Sequence, residues 1–289
     1  MNLRVGILGC GGIGVRHAEA MARLDGLTLV GCCGRDPARA EAFAQRFGGR
    51  AYPSFERMLG EAALDLLVVA LPPHAHAGQV ESAAAQGVNL LVEKPIALDP
   101  DRAASMVEAS ARVVAACGFM YRFGAAVERW TALEAAGETG PVGHFSGFFH
   151  CNSLHAPWWR SEEKSGGQMV EQLIHIADLA RLSLGMPQAV YARAATFFHA
   201  GMPDYTAEDA SAVVLGYQDG RVGVLHASNG AIPGRWMKGW QIVARRATGI
   251  FTDWNAAEIV RTAGEPASER IAGTTDPFMA QLADLRDAV

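Results

Sequence analysis

A glycine frame set between a strand and a helix, at the very start of the chain, limits its fold more than any other feature. The stretch GILGCGGIG follows an apolar run, Leu3–Leu8, and places Gly9, Gly11 and Gly14 in G-x-G-x-x-G spacing. Gly9 permits a tight turn, Gly11 lets the backbone approach a pyrophosphate, and Gly14 lets the helix close on the strand. The helix start then offers free N–H groups and a positive dipole end to phosphate. Gly9, Gly11, Gly12, Ile13 and Gly14 are therefore the candidate dinucleotide loop. The alternative is a merely glycine-rich turn, and the strand–loop–helix setting argues against it.

The first 118 residues keep to a βαβ rhythm. Strands are expected at Leu3–Leu8, Leu27–Cys32, Leu66–Ala70, Val88–Val92 and Val113–Cys117. Helices are expected at His17–Leu24, from Asp36-Pro37 through Phe47, at His74–Gln86 and at Asp99–Ala111. Short apolar runs alternating with amphipathic helices mean a parallel sheet covered on both faces. The fold class is α/β, with a Rossmann-type doubly wound domain over residues 1–118. After that the rhythm changes. A helix at Ala125–Ala136 is followed by strand-like stretches at His144–Cys151, Val190–Phe198, Ala210–Tyr217, Arg221–Ser228 and Gln241–Ala244. Asp219-Gly220 marks a hairpin turn, and one long helix falls at about 167–184. Residues 119–289 read as a second, α+β domain with a large, mostly antiparallel open sheet.

Composition excludes several functions. A net charge of -5 gives no electrostatic case for nucleic acid or an anionic membrane. No apolar stretch approaches the roughly 20 residues of a membrane span. Met1 runs almost directly into the first strand, leaving no room for a signal peptide. The five cysteines are odd in number and lack CxxC spacing, which fits reduced thiols in a cytoplasmic protein.

Three further clusters carry chemistry. In LLVEKPIALD a buried strand stops at Glu93-Lys94-Pro95, and Lys94 is either a solvated charge or a residue facing a ligand. Ligands in this architecture bind at the carboxyl edge of the sheet, which favours the second reading. At the end of the second strand, an NAD site usually carries an acidic residue for the ribose 2′-OH. Here Gly34 and Arg35 stand instead, and Asp36 has a structural task before Pro37. A small residue followed by Arg suits a 2′-phosphate, so NADP is favoured and NAD remains possible; a solvated Arg35 is the alternative. In SGGQMVEQLIHIADLARL, Glu171, His175 and Asp178 fall at i, i+4 and i+7 on one helix face, where a carboxylate can orient an imidazole base. A metal site would need a further His or Cys at ligand spacing, and none is found, so no metal is expected.

The glycine frame, VEKPIAL, GFMYRF (118–123) and GGQMVEQLIHIADLARL together resemble the Gfo/Idh/MocA family of oxidoreductases, typified by glucose–fructose oxidoreductase and inositol dehydrogenase. The motifs occur in the family's order over about residues 3–230. The resemblance implies a hydride transfer between NAD(P) and a secondary alcohol or ketone of a sugar, cyclitol or related polyol. It implies that Lys94 hydrogen-bonds the reacting oxygen beside the nicotinamide, and that His175 accepts the hydroxyl proton, assisted by Glu171. Family members commonly have Asp at the position of Glu171, so the relay here uses a longer side chain. LPPHAH (71–76) matches a cofactor-lining loop, which implicates Leu71, Pro72, Pro73 and His76, with Glu93 beside Lys94. Tyr121 and Arg122 match a segment near the substrate. In HAPWWR (155–160), Trp158 and Trp159 either stack on a sugar ring or anchor the core. A homo-oligomer, dimer or tetramer, is expected through the open sheet. Two other readings stay open: a redox-neutral NAD-dependent glycosidase and a non-catalytic nucleotide-sensing regulator.

DPFMAQLADLRDAV (276–289) has a helix start, with Asp276 as N-cap, Pro277 in the first turn and Phe278, Leu282 and Leu285 at helical spacing. It ends with no closing strand. The expectation is that a terminal segment is missing and that an apolar patch is left uncovered.

Overall fold

Short runs whose successive residues are all apolar have two faces to bury, and the computed structural model places them in the middle of a covered sheet. It describes residues 2–152, 154, 156–265 and 267–289. The chain divides into two units, residues 1–120 with 276–289, and residues 121–275.

The first unit runs β1 (Leu3–Leu8), α1 (Gly12–Met21), β2 (Leu27–Cys33), α2 (Pro37–Phe47), β3 (Arg50–Tyr52), α3 (Phe55–Glu61), β4 (Leu66–Val69), α4 (Gln79–Ala85), β5 (Asn89–Val92), α5 (Pro100–Ala109) and β6 (Ala115–Cys117). The strands form one sheet in the order β3-β2-β1-β4-β5-β6, every pair parallel. Side chains alternate between two cores. Val5, Ile7, Leu66, Val68 and Leu91 point to one, and Leu8, Leu67, Val69, Leu90 and Val92 to the other. The strand order reverses between β1 and β4, which opens a crevice at their carboxyl ends.

Three expectations change here. Helix α1 starts at Gly12 rather than His17, because Gly11 already serves as its N-cap in extended backbone. The expected helix His74–Gln86 is a single tight turn, Pro73–Ala75, followed by α4 from Gln79, since Gly78 takes a left-handed conformation that interrupts it. The last helix does not belong with the second domain. Its residues 277–288 pack Phe278, Leu282 and Leu285 into the core shared with β1, β2 and α1. Asp276 Oδ1 caps it, accepting from the N–H groups of Phe278 at 3.1 Å and Met279 at 3.4 Å. The apolar face of this helix is buried within its own unit.

The second unit runs α6 (Ala125–Ala135), β7 (Val142–His150), α7 (Glu162–Ser165), α8 (Ile174–Leu184), β8 (Ala189–Ala195), β9 (Ala210–Gly216), β10 (Val222–Ser228), β11 (Met237–Ala244), β12 (Ala247–Asp253), β13 (Ala256–Arg261) and β14 (Ala267–Ala272); the C-terminal helix Pro277–Ala288 is α9. Its eight strands lie in the order β14-β13-β12-β11-β7-β10-β9-β8, antiparallel except for the β7–β10 pair. The β9–β10 hairpin turns at Asp219-Gly220 as its dipeptide requires. One sheet face packs under α6 and α8. Gly147 on β7 makes the close approach possible, because a Cβ there would stand 2.5 Å from Ile176 of α8. Trp130, Phe145, Phe149, Trp240 and Phe251 fill this core. Among the described residues no helix is long and apolar enough to cross a membrane.

Glu134 of α6 gives this unit a pH dependence. Burial pushes its carboxyl up from 4.5 to about 7, although Ser183 Oγ donates to it at 3.3 Å. A carboxyl raised in the folded state favours folding while protonated, so its contribution is complete below the unfolded value and is lost as pH rises through about 7. A displacement of that size is worth about 3 kcal/mol at most, and partial solvation reduces it to about 1–2 kcal/mol. Thermal unfolding of Glu134→Gln is expected to match the wild type near pH 5 and to exceed it at pH 8; equal melting temperatures at pH 8 would show the site to be well solvated.

Candidate active site

In the first unit the glycine frame is built as the chemistry of a dinucleotide requires. Gly9 has φ +109°, and a Cβ there would strike the Ala70 carbonyl. A Cβ at Gly14 would strike the Gly9 carbonyl, so helix and loop touch only because both are glycine. Gly11 and Gly12 face open space. The N-terminus of α1 has no side-chain cap and no acidic residue in its first turn, and Ile13 is 45% exposed beside it. These features fit a bound pyrophosphate.

At the end of β2 stands Gly34, where an added Cβ would lie 3.4 Å from the Cys10 thiol sulfur. Arg35 is exposed. Asp36 Oδ1 accepts from the N–H groups of Ala38 at 3.0 Å and Arg39 at 3.4 Å, the N-cap role that the following Pro suggests. Arg39 is a second cation at this corner, close enough to act on Cys10; the Cys32 thiol acts on it more strongly, and together they hold the Cys10 thiol below its ordinary range. None of the five cysteines is paired in a disulfide.

The loop after β4 places Leu71 and Pro72 half-buried and Pro73 buried. Burial pushes the His76 imidazole below its usual range, and neither ring nitrogen has a hydrogen-bond partner among the described residues. Lys94 stands at the carboxyl end of β5, half-buried. Glu93 turns its carboxylate inward, to His17 of α1 and to the backbone amide of Lys94.

In the second unit, the helix carrying the candidate base is not uniform. Residues Met169–Leu173 wind as a π-helix and α8 begins at Ile174. Glu171 thus sits in the wide turn and His175 in the α-helical one. Such π turns recur at functional sites. Glu171, His175 and Asp178 are 7%, 6% and 5% exposed. Asp178 is paired: Arg122 grips it with two hydrogen bonds, of 2.7 and 2.5 Å. Tyr121 lies flat on the His175 imidazole, ring centroids 4.4 Å apart at 12°, which fixes the plane of the base. Burial pushes the Tyr121 phenol well above its usual range.

Sequence reasoning passed over Lys238, which ion-pairs with Asp253 at 3.1 Å and lies 4.3 Å from the centre of the Trp254 ring. Trp254 itself packs on Tyr121. Trp158 and Trp159 are half-buried, meet edge to face, and Trp159 continues to Trp236. Trp159 also lines a small cavity with Gln168, Glu171, Tyr205, Glu208 and Asn229. His155, the first residue of that loop motif, lies outside the described residues. Among the described residues no group of three or more His, Cys, Asp or Glu could hold a metal ion.

Comparison with known proteins matches residues 3–119 to the model of an oxidoreductase family with an NAD-binding Rossmann fold, and residues 127–252 to the GFO/IDH/MocA C-terminal domain. The chain belongs to the Gfo/Idh/MocA family. Among its relatives, an inositol 2-dehydrogenase of Rhizobium meliloti is 30% identical over 238 residues, 81% of this chain and 71% of that protein. A D-xylose 1-dehydrogenase (NADP(+)) of Haloferax volcanii is 33% identical over 195 residues, 65% of this chain and 59% of that protein. The Gfo/Idh/MocA fold is equally clear in space. A levoglucosan dehydrogenase, in complex with NADH and L-sorbose, superposes with a TM-score of 0.91 at 19% identity, covering 100% of this chain and 89% of that one.

Proposed function

We propose that the chain is an NAD(P)-dependent oxidoreductase acting on a secondary alcohol, or the matching ketone, of a sugar, cyclitol or related polyol, with NADP preferred. One observation carries the reading: the glycine cradle and Lys94 stand at the carboxyl ends of β1 and β5 in the same parallel sheet, where this architecture takes its ligands. Gly9, Gly11, Gly12, Ile13 and Gly14 hold the pyrophosphate, Gly34 and Arg35 the adenosine ribose with its phosphate, and Leu71, Pro72, Pro73 and His76 line the cofactor.

A bound nicotinamide dinucleotide supplies the hydride acceptor or donor. Lys94 donates a hydrogen bond to the reacting oxygen, and its ammonium stabilises negative charge developing there. His175 takes the hydroxyl proton during oxidation and returns it during reduction. Glu171 assists His175, and the Arg122–Asp178 pair and Tyr121 hold the base and meet the substrate together with Trp158 and Trp159. The family's relatives named for inositol and xylose support a polyol as substrate class.

The second unit also serves assembly. The sheet face turned away from α6 and α8 exposes Val214, Val222, Val243 and Ile250, which suits a second copy of the chain in a dimer or tetramer. Cysteines held as thiols suit a reducing, cytoplasmic compartment.

The test is to incubate the purified protein with NAD⁺ or NADP⁺ and a panel of sugars and cyclitols while following absorbance of the reduced nicotinamide. Turnover with a polyol is expected, faster with NADP⁺. Glycoside cleavage without net nicotinamide reduction, or cofactor binding with no turnover, would replace the proposal with a redox-neutral hydrolase or a sensor.

A further inference from the structure

His17 and Glu93 form a buried pair that the proposed chemistry leaves without a task. His17 is 0% exposed on α1, and Glu93 is 7% exposed at the end of β5. His17 Nε2 lies 2.7 Å from Glu93 Oε1. His17 Nδ1 has no hydrogen-bond partner among the described residues, so the ring proton belongs on Nε2, where it meets the carboxylate. The second oxygen, Glu93 Oε2, accepts from the backbone N–H of Lys94 at 3.2 Å. Burying a carboxylate is costly unless its oxygens accept hydrogen bonds, and here both do.

The surroundings are shaped to this pair. Gly118, just after β6, is pressed against the carboxylate, and a Cβ there would stand 2.5 Å from Oε2. Phe278 of α9 closes the other side, its ring meeting His17 edge-on at 5.1 Å and 78°. Gln281 of the same helix donates to the Cys117 carbonyl at 3.0 Å. A hydrophobic pair of similar volume would fill such a space with no loss of stability, so a buried polar pair is weak evidence for a stabilising role. What distinguishes this one is where it ends, on the amide of the lysine.

We propose that His17 and Glu93 are positioning residues for Lys94: the imidazole pins the carboxylate, and the carboxylate pins the lysine's backbone. Because α1 begins at the glycine cradle, the same pair sets Lys94 at a fixed offset from the helix that takes the phosphates. The proposal rests on Lys94 acting at the reacting oxygen. A displacement of about 1 Å at such a group costs up to about 100-fold in rate.

The experiment is a mutant cycle on a polyol the wild type oxidises, reading kcat, KM, cofactor Kd and melting temperature for Lys94→Ala, His17→Leu, Glu93→Gln and Lys94→Ala/His17→Leu. His17→Leu and Glu93→Gln are expected to lower kcat about 10- to 100-fold, with polyol KM and cofactor Kd changed less than about threefold. The double variant is expected within about threefold of Lys94→Ala alone, because a misplaced lysine cannot matter once the lysine is gone. Losses that multiply in the double variant would overturn the proposal, since they mean that His17 acts on the fold. So would unchanged kcat in both single variants beside a slow Lys94→Ala. Wild-type kcat in Lys94→Ala would instead remove the reading of Lys94 on which this one depends. If His17→Leu does not fold, Gly118→Ala displaces the same carboxylate and is expected to show the same kcat loss.

Discussion

Lys94→Ala and His175→Ala are each expected to lower kcat/KM by about 10²–10⁴, the usual scale for removing a positioned acid–base group. Cofactor affinity is expected to change little in either. His175 is buried to 6% exposure with its ring plane set by Tyr121, so the loss belongs to the chemistry rather than to a loosened surface group. The alanine removes the proposed proton acceptor and leaves the Arg122–Asp178 pair, one turn on, to hold the helix in place. Lys94 has no apolar core to lose, since it is only half-buried at the strand end. Steady-state kinetics with a cofactor titration separates the outcomes. Wild-type turnover in His175→Ala would remove it from the mechanism, and a large loss of cofactor affinity in Lys94→Ala would make that lysine chiefly a cofactor ligand.

Cofactor choice is the second large effect. Replacing Gly34 by Asp and Arg35 by a neutral residue is expected to shift preference from NADP towards NAD by about 10- to 100-fold, the worth of one or two hydrogen bonds to a charged group. The new carboxylate can accept from a ribose 2′-OH and repels a 2′-phosphate. The backbone allows it: Gly34 does not use a left-handed conformation, and a Cβ there meets Cys10 at ordinary van der Waals distance. Asp36 cannot take over the ribose through Oδ1 without releasing the first amides of α2. Titrating both cofactors against wild type and variant checks this. Tighter binding of NAD by the wild type would show that Asp36 or another group already serves the ribose.

The first unit was legible because its signals are local. A glycine that must turn at φ +109°, a glycine that must let a helix touch a strand, and a proline after an aspartate cap each report a backbone demand through the residue itself. Strands buried on both faces read as unbroken apolar runs. The places that went unseen depend on partners far along the chain. β3 is three residues long and β14 has no buried side chain, so neither has a pattern to find. The π turn at 169–173 is five residues long, too short for apolar spacing to tell it from the α-helix that follows. The fate of α9 was misjudged for the same reason. Its stripe of Phe278, Leu282 and Leu285 was read correctly, but the surface it covers is made by β1, β2 and α1 at the other end of the sequence. His17 looked like one more residue of an amphipathic helix until its partner, Glu93, was placed beside it.

The central claim is that a hydride moves directly between a polyol carbon and the nicotinamide, with Lys94 and His175 serving the oxygen of that same carbon. The most direct measurement uses a polyol carrying deuterium on the carbon to be oxidised, with mass spectrometry of the recovered reduced cofactor. The account predicts that the label appears on the nicotinamide at every turnover, and that Lys94→Ala and His175→Ala slow its appearance in step with product. Reduced cofactor without label, or polyol converted while the cofactor is left neither reduced nor labelled, would contradict it.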